Sequence, residues 1–132
     1  NLELASTLSS LGCFCEFVKS TPFGAGMISS KGYSVWSIHN QLDNEYRKQL
    51  LRDKNLFSFN EHGMLEKIVY NGIDISNEFN VYKQMFPEHF SDEKKVRSTV
   101  AHCLVCLKAL LKIVKKLNPS FLVGWNGNGG VF

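Results

Sequence analysis

The sequence SDEKKVRSTVAHCLVCLKALLKIVKKL spans residues 91–117 and predicts one long amphipathic helix. Its apolar residues recur at alternating steps of four and three, which places them on one face of a helix. That stripe consists of Val96, Val100, Cys103, Leu107, Leu110, Val114 and Leu117. Asp92 and Glu93 stand where the helix dipole favours anions, and Asn118-Pro119 ends the helix. We therefore expect the stripe to pack on a core, with Leu107 among the costliest residues to truncate.

A short apolar run and a glycine-rich turn follow the helix. Residues 121–125, Phe-Leu-Val-Gly-Trp, predict a buried strand. Residues 126–130, Asn-Gly-Asn-Gly-Gly, predict a turn whose bare backbone can approach a ligand closely. This turn lacks the Lys-Ser/Thr pair of a phosphate-binding loop, so a tight turn is the simpler interpretation.

Length and composition predict one globular domain over residues 1–132. With 132 residues and 44% hydrophobic content, the chain can bury a single core without disulfides or a metal. No run of about eighteen apolar residues occurs and no basic-then-apolar segment opens the chain, so we expect a soluble intracellular protein without a membrane partner. The start at Asn1, without a Met, predicts a piece of a longer protein. The net charge of +3 tilts the expected partners slightly toward anions.

Four cysteines form two close pairs, Cys13/Cys15 and Cys103/Cys106, and leave three interpretations open. In the first, the thiols are reduced and Cys15, Cys103 and Cys106 serve as small core residues. In the second, a structural zinc ion takes thiolates from both pairs, although the second pair lies in a predicted helix rather than a Gly-containing knuckle. In the third, a secreted protein carries two disulfides. The first is our default, and we expect no zinc cofactor.

The rest of the chain predicts an α+β fold with one mostly antiparallel sheet packed by the long C-terminal helix. Asn71-Gly72 is the strongest hairpin signal, because both residues tolerate the positive φ of a tight type I′ turn. Ser76 begins a helix that ends near Phe86, before Pro87. The predicted order is a helix over 1–19, a hairpin over 24–39, a helix over 40–52, a three-stranded meander over 56–75, a helix over 76–86, the long helix and the last strand.

The titratable residues predict no catalytic constellation. The acids are scattered, and no pair of them suits general acid/base work. The four histidines have no metal-ligand spacing among themselves. His102 and Cys103 are neighbours that point about 100° apart on a helix, so they predict no nucleophile with its base. We therefore lean toward a protein without enzymatic activity.

A row of cationic side chains on the outer face of the long helix can contact the phosphate backbone of a nucleic acid as point charges. The row consists of Lys108, Lys112, Lys115 and Lys116, with Arg97 further back. A merely solvated face is the alternative interpretation. Strand aromatics can stack on bases if they face outward, but they more often fill a core. The aromatics in question are Tyr33, Trp36, Phe57 and Phe59.

Two segments flank the long helix: residues 90–94, Phe-Ser-Asp-Glu-Lys, and residues 118–126, Asn-Pro-Ser-Phe-Leu-Val-Gly-Trp-Asn. Together with the helix they resemble the second motif region of DnaQ-like 3′-5′ exonucleases, especially the proofreading domain of family B DNA polymerases. In that family an acidic helix start leads through an Asn-Pro or Asp-Pro turn to a strand reading Gly-Tyr/Trp-Asn. Asn1-Leu2-Glu3 would match the family's Asp-x-Glu motif on its first strand, with Asn in place of the first Asp.

This resemblance implies two-metal hydrolysis, in which several carboxylates converge on Mg²⁺ ions about 4 Å apart. Of the carboxylates in the family's motifs, only Glu3 remains as a catalytic candidate, so we expect no nuclease activity. Mg²⁺ would be a cofactor only if the chain were an exonuclease. Trp125 and Asn126 would contact single-stranded nucleic acid. The resulting hypothesis is a non-catalytic, nucleic-acid-associated domain related to the DnaQ-like exonuclease fold.

The predicted order of elements also resembles profilin-like, roadblock and longin adaptor domains, which bind proteins through a sheet edge or a helix face. Residues 26–36 look like the first hairpin of these domains. The resemblance implies no catalytic residue, and the partner would be another protein. A protein–protein interaction module is therefore the alternative function.

Overall fold

The computed structural model describes residues 2–21 and 23–123 and has the predicted α+β fold with a long C-terminal helix. The helices are α1 (Leu2–Ser10), α2 (Ala25–Ser30), α3 (Asn44–Arg52), α4 (Ser76–Met85) and α5 (Glu93–Leu117), with 3-10 turns at His39–Gln41 and Pro87–Phe90. The strands are β1 (Glu16–Lys19), β2 (Ser34–Ser37), β3 (Ser58–Phe59), β4 (Leu65–Glu66), β5 (Val69–Tyr70) and β6 (Ile73–Asp74). Within the described ranges they form three two-stranded sheets, two antiparallel and one parallel.

The chain divides into two compact units. The terminal unit contains the residues up to Leu42 and those from Lys108 onward, and the central unit contains Asp43–Leu107. Helix α5 therefore contributes its residues up to Leu107 to the central unit and its later residues to the terminal unit.

In the terminal unit, β1 and β2 pair in parallel, with Glu16 opposite Ser34. Helix α2 lies between them in sequence, so the predicted antiparallel hairpin over residues 24–39 is wrong. Gly24 precedes α2 in a left-handed conformation at φ 73°, and Ala25–Ser30, which fall within the predicted hairpin, are helical. Residues 26–36 therefore do not form the hairpin on which the resemblance to profilin-like adaptor domains rests.

The first helix is also shorter than the prediction of residues 1–19. α1 ends at Ser10, and Gly12 then takes a left-handed φ of 86°. Residues other than glycine rarely adopt that conformation, so Gly12 marks the end of the helical segment. The chain continues into β1, whose partner strand β2 follows α2 in the sequence.

In the central unit, β5 and β6 form the hairpin that Asn71-Gly72 predicts. Both turn residues have positive φ, 50° at Asn71 and 79° at Gly72, as a type I′ turn requires. The predicted three-stranded meander is nevertheless divided in two, because Lys67 at φ 64° interrupts the chain between β4 and β5. β3 and β4 pair separately around a turn in which the Asn60 side chain accepts two backbone N–H bonds.

Two polar side chains of α4, which we call the α4 clamp, complete the hydrogen bonding of the segment at residues 65–68. The Asn80 amide donates to Leu65 O at 2.8 Å, and its oxygen accepts from Leu65 N at 2.9 Å. One turn earlier, Ser76 Oγ accepts from Ile68 N at 2.9 Å. Because Leu65 and Ile68 are only 2% and 0% exposed, water cannot satisfy these backbone groups. The clamp thus supplies the bonds that a neighbouring strand would otherwise make.

Helix α5 begins and ends close to the predicted limits. At its start, Asp92 Oδ1 accepts a hydrogen bond from Lys95 N at 2.9 Å, and this bond is the main cause that lowers the pKa of Asp92. At its end, Asn118 takes a left-handed φ of 44° and its N–H donates to Val114 O at 2.8 Å. A left-handed residue followed by Pro119 is a common way to close a helix.

The buried surface of α5 differs from the predicted stripe. Of the seven stripe residues only Val96 and Val100 are buried, and the other five, including Leu107, are half-buried. The remaining buried positions on the helix are Ala101, Leu104, Val105, Cys106, Ala109 and Ile113. Most of them lie on two rows of four-residue steps, 96–100–104 and 101–105–109–113, which form ridges on a helix surface. The middle of α5 is therefore buried on more than one face. We now expect truncation of Leu104, rather than of Leu107, to be the costliest for stability.

The apolar run after α5 is not a strand over its described part. Phe121, Leu122 and Val123 are between 57% and 67% exposed. A strand requires a hydrogen-bonding neighbour, and none of the strands in the described ranges pairs with these residues. The predicted turn at residues 126–130, with the predicted contact residues Trp125 and Asn126, lies outside the described residues.

Candidate nucleic-acid interface

Basic charge is concentrated in the terminal unit. Its sequence has six lysines and two glutamates, a net charge of +4, whereas the central unit has nine Lys or Arg against ten Asp or Glu, a net charge of −1. Attraction to a polyanion depends on local charge as well as on the total of +3. The terminal unit is therefore the part of the chain in which to place an anion-binding surface.

The lysine face consists of Lys108, Lys112, Lys115 and Lys116, all exposed on the last turns of α5. At about 100° per residue, the four positions fall within an arc of about 100° around the helix axis. The buried positions of this half of the helix, Ala109 and Ile113, lie outside that arc. The exposure agrees with the predicted outer face, and contact with nucleic acid stays a prediction.

Lys116 is held against an aromatic ring. Its Nζ lies 4.8 Å from the centroid of the Trp36 ring, which is carried by β2. A cation over the face of an indole is attracted by the ring quadrupole, an interaction that contributes about 0.5–1 kcal/mol at exposed sites. Trp36 is half-buried, and this lysine covers one face of its ring. The pair therefore restrains one ammonium group of the lysine face.

The other aromatics considered for base stacking contact neighbouring side chains. Phe57 is buried, and Tyr33 packs edge-on against Phe17 with ring centroids 5.4 Å apart. Phe59 is partly exposed, but it lies edge-on against Phe57 at 5.5 Å and Lys83 Nζ is 5.8 Å from its centroid. The core interpretation therefore holds for Phe57, whereas Tyr33 is half-buried against Phe17.

Arg97 does not extend the lysine face, because its guanidinium is engaged within the central unit. It pairs with Glu93 at 3.3 Å, donates to the backbone O of Asp53 and lies 5.2 Å from the centroid of the Phe57 ring. Its side chain is only 20% exposed. These contacts argue against the prediction that Arg97 continues the row of phosphate contacts.

Glu3 lies in the first turn of α1 and is exposed. The resemblance to DnaQ-like exonucleases would place this residue on a first strand, whereas the structure places it on a helix. Across residues 2–21 and 23–123, no three His, Cys, Asp or Glu side chains come together in a group that could hold a metal ion. In the described part of the chain Glu3 is thus not joined by the further carboxylates that two-metal hydrolysis needs.

Comparison with known proteins gives a plain result. No family model, curated protein or solved structure matches this chain. The resemblance to DnaQ-like exonucleases therefore rests on the motif residues alone. A separate finding concerns membranes: of the helices that the structure describes, none has both the length and the apolar character needed to cross a bilayer.

A Cys–His pair that the sequence analysis missed lies on the central-unit part of α5. Cys106 Sγ and His102 Nε2 are 3.5 Å apart. The two residues are four apart in sequence and so share a helix face, which His102 and its neighbour Cys103 do not. The signal was available as a His and a Cys at helical spacing, but a search for spacings among histidines alone overlooks it.

All four cysteines carry free thiols in this structure. Cys106 is buried, as the core interpretation predicts, and the other three are half-buried. Burial raises the pKa of Cys103 to about 11, with a smaller contribution from the neighbouring Cys106. Cys103 is therefore a neutral thiol at physiological pH and a poor nucleophile.

The pH dependence of alkylation tests the raised pKa of Cys103. At pH 8 we expect iodoacetamide to modify Cys103 about 100-fold more slowly in the folded chain than in urea, because a thiol with a pKa near 11 has about 100-fold less thiolate than an ordinary one. The folded-state rate should keep rising as the pH approaches 11, and stability should fall over the same range because the unfolded chain ionises first. Mass spectrometry of the peptide containing Cys103 gives both rates. Equal rates in the folded and unfolded chains at pH 8 would contradict the raised pKa.

Proposed function

We propose that this chain is a non-catalytic, nucleic-acid-associated domain that binds single strands through the lysine face of α5. The relation to the DnaQ-like exonuclease fold, drawn from residues 90–132, is part of the proposal. The observation that carries it is the exposure of four lysines on one side of a helix, within a unit of net charge +4.

The arrangement of the lysines suits a phosphate backbone. Lys108, Lys112 and Lys115 succeed one another at steps of four and three, so at about 1.5 Å per residue they lie roughly 6 Å and 4.5 Å apart along the helix axis. Ammonium groups on flexible stems can adjust to the spacing of successive phosphates along a strand. Lys116, restrained by Trp36, adds a fourth charge with less conformational freedom to lose on binding.

The proposal omits catalysis because the chemistry of the family needs more carboxylates than the resemblance provides. Two metal ions about 4 Å apart require several acidic ligands, and Glu3 is the single one that the matched motifs contribute. Glu3 lies exposed on α1, and the proposal gives it no role in proton transfer.

Charge reversal tests the lysine face. We expect the Lys108→Glu, Lys112→Glu, Lys115→Glu variant to lose most of its affinity for a labelled single strand, uniformly across sequences, because phosphate contacts carry no base information. For the parent chain, log K should fall with log salt at a slope of about −0.7 per phosphate contact, which gives about −2.8 for four contacts. In the variant that slope should shrink by about 2. Fluorescence anisotropy at two or more salt concentrations measures both quantities.

The matched control changes the same number of charges in the central unit. Lys54, Lys94 and Lys95 are exposed, and their replacement by Glu alters the net charge of the chain by the same amount. If binding weakens equally in both variants, total charge causes the effect, and the proposal that the lysine face binds the strand is refuted. If the parent chain does not bind the single strand at micromolar concentration in low salt, the proposed function itself is refuted.

A further inference from the structure

The contact between Cys106 and His102 brings together two side chains that commonly bind metal ions. Cys106 Sγ and His102 Nε2 are 3.5 Å apart on one face of α5. Both residues belong to the central unit, so the pair is independent of the lysine face. A continuous helix fixes the relative positions of their Cβ atoms, and only side-chain rotation is needed to adjust the two ligand atoms.

The distance between the two atoms matches the bite of a tetrahedral zinc site. Zn–S bonds of about 2.3 Å and Zn–N bonds of about 2.0–2.1 Å, at a tetrahedral angle, separate sulfur and nitrogen by about 3.5 Å. A hydrogen bond between the thiol and the imidazole has a similar length, and its direction depends on the histidine tautomer. A metal ion at Nε2 requires the neutral tautomer in which Nε2 carries no proton.

The surroundings leave the site accessible on the histidine side. Cys106 is buried, whereas His102 is exposed at the surface of the helix. Burial raises the pKa of the Cys106 thiol, and the positive charge of Arg47 acts in the opposite direction. No third His, Cys, Asp or Glu completes a group with them in the described ranges. Any further ligands would therefore come from solvent or from another molecule.

We propose that His102 and Cys106 form a two-residue chelating site for a d¹⁰ divalent cation, with Zn²⁺ as the natural candidate. Binding replaces the thiol proton: Zn²⁺ forms one bond to Sγ and one to Nε2, and the S–H bond breaks with release of one proton to the buffer. No electron is transferred. This open site differs from the zinc site considered from the sequence, which takes thiolates from both cysteine pairs, because it uses one cysteine of the second pair and none of the first.

Titration of the full chain with Zn²⁺ and Cd²⁺ tests the site without any nucleic acid. We expect one ion to bind with release of about one proton, and Cd²⁺ to produce a thiolate-to-metal charge-transfer absorption in the ultraviolet. Cys106→Ala and His102→Ala should each weaken binding by at least about tenfold, the loss that even outer-shell partners of metal sites cause. Their double variant should be hardly weaker than either single one, because each removes the same chelate.

Two controls distinguish this pair from other residues. His62→Ala removes an exposed histidine of the turn between β3 and β4 and should leave affinity unchanged. Cys13→Ala with Cys15→Ala removes the other thiol pair and should also leave it unchanged. Loss of binding in that double variant, or an unaltered affinity in either His102→Ala or Cys106→Ala, overturns the proposal. Because His102 is exposed, its variant keeps the test decisive even if Cys106→Ala unfolds.

Discussion

Replacing Leu104 by Ala is expected to lower the free energy of unfolding by about 2–5 kcal/mol, the largest effect we foresee for a single substitution. Leu104 is 2% exposed on the row of α5 that also contains Val96 and Val100. Truncation there removes three buried carbon atoms and leaves a cavity in a region where the helix is enclosed on more than one face. Urea denaturation followed by circular dichroism measures the change.

The neighbouring leucines on the same helix are the controls. Leu107 is half-buried, so Leu107→Ala should cost roughly half as much or less, since the transfer of its side chain from water is incomplete. Leu111 is 40% exposed, and Leu111→Ala should change stability little, because alanine favours the helix. A cost for Leu107→Ala equal to or above that of Leu104→Ala would restore the stripe predicted from the sequence and refute the burial described above.

Replacing Asn80 by Ala is expected to lower the free energy of unfolding by about 2–4 kcal/mol, although only a small polar side chain is lost. The Asn80 amide satisfies both the N–H and the C=O of Leu65, which is 2% exposed. Without it, two buried backbone groups would have no partner, and each such group costs about 1–3 kcal/mol.

Asn77 on the exposed side of α4 provides the comparison for this substitution. Asn77→Ala makes the same chemical change on the same helix and should alter stability by less than about 0.5 kcal/mol. The urea dependence of unfolding, compared between the two variants, isolates the two buried hydrogen bonds from the change in helix propensity. Equal stabilities of the Asn80 and Asn77 variants would show that the α4 clamp is dispensable.

Local signals in the sequence predicted their elements well. Asp92 and Asn118-Pro119 gave the limits of α5, since a capping carboxylate and a left-handed residue before proline act within one turn of the helix. Asn71-Gly72 gave the β5–β6 hairpin for a similar reason, because both residues accept positive φ. Helix α4 begins at Ser76 as predicted, although the Ser76 side chain accepts from Ile68 N instead of capping the helix. Each of these signals depends on residues a few positions apart.

Predictions that required distant partners failed. β2 pairs with β1 across the intervening α2, and no local pattern distinguishes that parallel pair from an antiparallel hairpin between nearer residues. The prediction of which α5 residues are buried failed for a similar reason. The apolar period identified residues able to face a core, but Ala101, Val105 and Ala109 are buried by neighbours that the helix sequence does not reveal.

The candidate sites likewise differ in whether they depend on neighbouring or on distant residues of the chain. The lysine face follows from helical spacing and is predictable from α5 alone. The contact of Lys116 with Trp36 joins residues far apart in the chain, and the engagement of Arg97 with the backbone of Asp53 does so as well. Neither contact leaves a local signature in the sequence. The pair of His102 and Cys106 does leave one, a step of four, and therefore belongs among the predictable features.

The α4 clamp also affects how the molecule can meet other chains. An outer strand normally presents unpaired amide and carbonyl groups to solvent, where a strand of another molecule can add to them and begin a fibril. At Leu65 both groups are already occupied by the Asn80 side chain. The short β4 edge is consequently closed to such additions at this residue, because the Asn80 side chain occupies the two backbone groups that an added strand would need.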